Sequence, residues 1–247
     1  MNAYQIVDNY KNHILLRRKK RGDASELVGK VAMLLFFVND DSARWTASAQ
    51  KKFSNTHDAA MKDVVEAAKK YSVSVTIDTF VEEVTVPYIC DVNSESSGSS
   101  KWIDSIMTKY SSKLFKGYRK HYKETLGYDQ IAVAFVFNKN FRAYAQQEWC
   151  YLDTECSVLY ASASKKTIIH ELLHQFGAED IYVLEYCMKT VQKLNYSSIM
   201  AAKGNAIDSL TAYTVGWCKE IDDNAVELLE ASKHVKLKDY FAFQART

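Results

Sequence analysis

Two histidines four residues apart, His170 and His174, bracket Glu171 in the string TIIHELLHQFGAED (167–180). Imidazole nitrogens and carboxylates are the side chains that hold zinc and move protons. On a helix, residues four apart differ by about 40° around the axis, so the two rings become neighbours and can put two nitrogens on one ion. Glu171 sits about 100° from His170, beside the pair, where it can take a proton from water that zinc has acidified toward a pKa of about 7. HExxH thus supplies two ligands and a general base from five residues. Chance alone puts the pentapeptide in on the order of one chain in a hundred of this length, as a surface helix whose histidines face solvent. The flanking residues must therefore decide.

Ser164 can cap a helix running from Lys165 to Phe176, and Gly177 is placed to end it. Ile168, Ile169, Leu172, Leu173 and Phe176 fill one broad sector and the histidines the opposite one. A catalytic zinc usually takes three protein ligands plus water. Beyond Gly177 the chain can reverse, and Asp180 can return to the metal, with Glu179 as the competing carboxylate. The full string reads HExxHxxGxxD.

This string resembles the metzincin clan of zinc endopeptidases, whose usual third ligand is histidine; the small bacterial snapalysins of that clan share the aspartate. The clan also carries a methionine turn beneath the metal, and Ser198-Ile199-Met200 in NYSSIMAAKG (195–204) is similar to it. IDSLTAYTVGW (207–217) resembles the start of the clan's C-terminal helix. The resemblance implies a zinc-dependent endopeptidase acting on a peptide or protein, with His170, His174 and Asp180 on Zn2+, Glu171 as base, and Met200 as a packing floor. It implies an α/β (α+β) fold: a twisted mixed sheet with long helices above the cleft, and a smaller C-terminal subdomain below. It also implies that FRAYAQQEW (141–149) forms the rim strand that holds substrate. Ala202 departs from members that place tyrosine there, leaving Tyr196 and Tyr213 as candidate oxyanion helpers. Two alternatives remain: a gluzincin completed by a distant glutamate such as Glu185, and a non-catalytic zinc protein that grips a partner.

The elements that must position this helix read as α/β. Residues 26–40, around the apolar run VAMLLFFV, read as a central strand, 73–86 as a half-buried strand and 129–138 as a buried one. Helical spacing runs through 42–71 (Phe53, Ala60, Val64, Ala67, Ala68) and 101–127 (Ile103, Ile106, Tyr110, Leu114), with NSESSGSS (93–100) as a loop. Residues 141–149 and 156–162 read as short strands, and the chain beyond Asp180 as helical or irregular. The expected organisation is a basic arm over 1–25, carrying RRKKR (17–21), then one catalytic domain over 26–247, divided into 26–177 and 178–247.

A net charge of +2 and no basic stripe give no case for nucleic acid. Hydrophobic content of 47% is ordinary for a globular protein, and no apolar run approaches the roughly 20 residues of a membrane span. No signal peptide is visible at the N-terminus, so the expectation is cytoplasmic. Five cysteines, an odd number, point to reduced thiols; Cys150 and Cys156 could pair across a short loop in an oxidising compartment. His13, His57, His121 and His234 lack ligand spacing.

Overall fold

Residues 31–38 are buried throughout because strand β1 (Gly29–Asn39) lies inside the sheet, parallel to a neighbour on each side. The computed structural model describes residues 3–20, 22–92, 97–110, 115–146, 155–182, 185–201 and 203–231. The strand order is β2 (Val75–Thr85), β1, β3 (Gln130–Phe137), β5 (Cys156–Tyr160) and β4 (Tyr144–Gln146). The first four run parallel and β4 closes the far edge antiparallel to β5. The architecture is a mixed α/β fold on a five-stranded mixed sheet. β2 alternates half-buried and exposed residues, with only Val75 and Val84 fully buried, as an edge strand does, whereas β3 is apolar almost throughout.

By its contacts the chain divides into two units, Lys20–Gly177 and Met1–Lys19 with Ala178–Thr247. The first holds the sheet and helix α2 (Ala47–Lys70), capped by the Thr46 hydroxyl on the amide of Ala49. Its buried stripe is Phe53, His57, Ala60, Met61, Val64 and Ala68; Ala67 lies half-exposed at the margin.

The single helix expected over 101–127 is interrupted. Helix α3 (Ser97–Ser105) starts inside the expected loop and passes into a π-helical turn, Ile106–Tyr110. A short helix, α4 (Phe115–Arg119), then passes into a second π-helical segment, Lys120–Thr125. Ile103 and Ile106 are buried as the stripe requires; Leu114 and residues 93–96 lie outside the described residues. Each π turn adds a residue to the helical repeat, and a reading at fixed 3.6 spacing cannot register that shift. Helix α5 (Lys165–Gln175) packs within the same unit against α2, β4 and β5.

In the other unit the expected basic arm is helical, as α1 (Ala3–Lys20). Tyr10 shares a 2.7 Å hydroxyl hydrogen bond with Thr214, and Lys11 pairs with Glu220 at 2.6 Å. Ile14 is fully buried. Ile14 therefore serves a core while Leu15 is exposed; the side chains of 16–20, and Arg21 altogether, lie outside the described residues. Helices α6 (Glu185–Lys193), α7 (Ser209–Thr214) and α8 (Asp223–Ala231) complete the unit. Among the described residues no helix is long and apolar enough to cross a membrane. Cys156 is buried in β5, and Cys150 lies outside the described residues.

Candidate metal centre

The Ser164 hydroxyl accepts the amide of Thr167 at 3.1 Å and opens α5. At the other end the amides of Phe176 and Gly177 fold back on Leu173 and His174, and Gly177 takes φ 91°, a left-handed conformation that any side chain would strain. Ile168, Ile169, Leu172, Leu173 and Phe176 are all buried. The helix is thereby held along its length, with its histidine face turned from that core.

On that face the Nε2 atoms of His170 and His174 lie 3.1 Å apart, with ring planes at 88°. Two nitrogens each about 2.0–2.1 Å from a tetrahedral zinc would lie roughly 3.3 Å apart. The observed approach is close to what a shared ion demands. Glu171 joins them: its carboxylate and the two imidazoles present ligand atoms within 4.8 Å of one another. Glu171 is 5% exposed and His174 9%, so the group sits largely out of water, where Coulomb forces are less damped. Two imidazoles and a carboxylate form the borderline donor set that zinc favours. The donor chemistry fits zinc.

Asp180 and Glu179 are half-buried residues of the other unit, just past the boundary at Gly177. The amide of Ile181 donates to the carbonyl of Met200 at 2.9 Å, tying this segment to the Ser198-Ile199-Met200 turn. There the buried Ser198 hydroxyl accepts the amide of Met200 at 3.1 Å, and Met200 is fully buried within a 3-10 turn, Ile199–Ala201. The turn is closed by the amide of Ser198 on the carbonyl of Lys203 and that of Ile199 on Ala206. Gly204, at φ 87°, has no room for a side chain: a Cβ would meet Ser197 Oγ at 2.1 Å.

The two candidate oxyanion tyrosines have other work inside this unit. The buried Tyr196 hydroxyl donates to Asp208 at 2.7 Å, and burial together with that carboxylate pushes its pKa far up. Asp208 in turn caps α7 through the amides of Leu210 and Thr211. Tyr213 packs against Tyr10, ring centres 6.2 Å apart. Ala202, the side chain of Glu185, His234 and the side chain of His13 lie outside the described residues. His121 packs edge-on to Tyr122, and His57 is wholly buried on α2.

Two residues that position the helix were not singled out from sequence. Gln175, fully buried, accepts the amide of Val133 at 3.0 Å and donates to the hydroxyl of Ser157. Ser157, in β5, donates onward to the carbonyl of Glu171 at 3.2 Å. One amide side chain and one hydroxyl thus bolt the backbone of the candidate base to β3 and β5. A signal was available: Gln175 follows Ile168 by seven residues, which puts a polar side chain at the edge of the apolar sector, about 20° from Ile168. Comparison with protein-family models, with curated proteins and with solved structures finds no match.

Proposed function

We propose that the chain is a zinc-dependent metallopeptidase of metzincin-like design that hydrolyses a peptide or protein substrate. The observation that carries the reading is the convergence of two Nε2 atoms at 3.1 Å beside a buried glutamate. His170 and His174 would hold the zinc, and the resemblance assigns the third ligand to Asp180. When bound, zinc supplies Lewis acidity, bringing water toward a pKa of about 7 and polarising the scissile carbonyl. Glu171 accepts the proton of the attacking water on its carboxylate and delivers it to the departing amine, so that one residue serves as base and then acid. Its backbone is fixed through Ser157 and Gln175, which limits the positional error of the base. β4 is the last strand of the sheet among the described residues and packs against α5, and an extended peptide beside it would be held by main-chain hydrogen bonds.

The test is digestion of a mixed peptide library by zinc-loaded wild type and by Glu171→Ala, read by mass spectrometry. Cuts present in the wild type and absent in the variant are expected, with one zinc bound by both. Equal zinc and no cuts from either would replace the peptidase reading with a binding protein that keeps its metal.

A further inference from the structure

We draw no further inference here: the strongest candidate, the outer edge of the sheet along β2, which among the described residues pairs with β1 alone and carries the exposed Val81, is an open strand edge of the kind that can accept another strand, and nothing in the structure shows what covers it.

Discussion

His57 offers a direct check on how the helix behind the histidine motif is packed. It lies fully buried on α2, its ring facing that of Phe53 at 6.4 Å, and neither ring nitrogen has a hydrogen-bond partner. Burial pushes its pKa down to about 4 from 6.5, against a small opposing pull from Asp58. That carboxylate lies 3.8 Å from Nδ1 but is 61% exposed, so solvent screens it. The folded state therefore holds a neutral imidazole, while the unfolded chain binds a proton below about pH 6.5. Stability is intact above the unfolded value and is lost as pH falls from about 6.5 toward 4. The loss at about pH 5 works out to about 2 kcal/mol, against almost nothing at about pH 7.5, and approaches 3 kcal/mol at the lower limit. The perturbation is His57→Leu, of similar volume and without a titrating group. Urea unfolding of both proteins in chelator, followed by circular dichroism at the two pH values, gives a double difference in which other titrating groups cancel. The variant should lose about 2 kcal/mol less than wild type on acidification. Parallel losses would refute the reasoning and place a proton acceptor or water at the ring.

Three further outcomes bear on the candidate centre. Glu171→Gln should keep zinc stoichiometry by atomic absorption while lowering peptide cleavage about a hundredfold or more, since only the base is removed; loss of metal instead would make Glu171 a ligand. His174→Ala should weaken zinc more than about a hundredfold in a competition titration with a chromophoric chelator, because it deletes one of two converging imidazoles. Gln175→Leu leaves the Val133 amide and the Ser157 hydroxyl short of a partner and should cost about 2–3 kcal/mol in urea. The same variant should lower the cleavage rate at unchanged zinc content, as the backbone of Glu171 loosens.

What could be read from sequence was what depends on short range. The cap at Ser164, the buried sector from Ile168 to Phe176 and the stop at Gly177 are properties of a dozen consecutive residues, and the structure has them. The runs over 31–38 and 131–137 were legible because a parallel strand covered on both faces leaves no polar positions. Elsewhere local rules competed with tertiary ones. The serine-rich stretch 93–100 has turn composition, yet α3 begins at Ser97 and runs on into Trp102 and Ile103, which are buried. Residues 3–20 looked like a solvated arm because their charge is local, whereas Ile14 is buried and Tyr10 shares a hydrogen bond with Thr214, some two hundred positions away.

The same division runs through the candidate centre. Spacing alone makes His170 and His174 neighbours, but a free helix would leave two long-range questions open: which rotamers the rings adopt, and how firmly Glu171 is held. Perpendicular rings with Nε2 atoms at 3.1 Å answer the first, and the Gln175–Ser157 bolt answers the second. Neither could come from a five-residue pattern, because Val133 and Ser157 approach the helix only through the order of the sheet. A chance HExxH on a surface helix would need no buried amide to fix its backbone and no buried glutamate between its histidines. Here the polar groups placed out of water are the ones that hold Glu171 in position, a costly arrangement in a core that hydrophobic residues could have filled. That cost is understandable where the position of a proton acceptor matters, and the Gln175→Leu variant separates it from stability by reading cleavage and unfolding in the same protein.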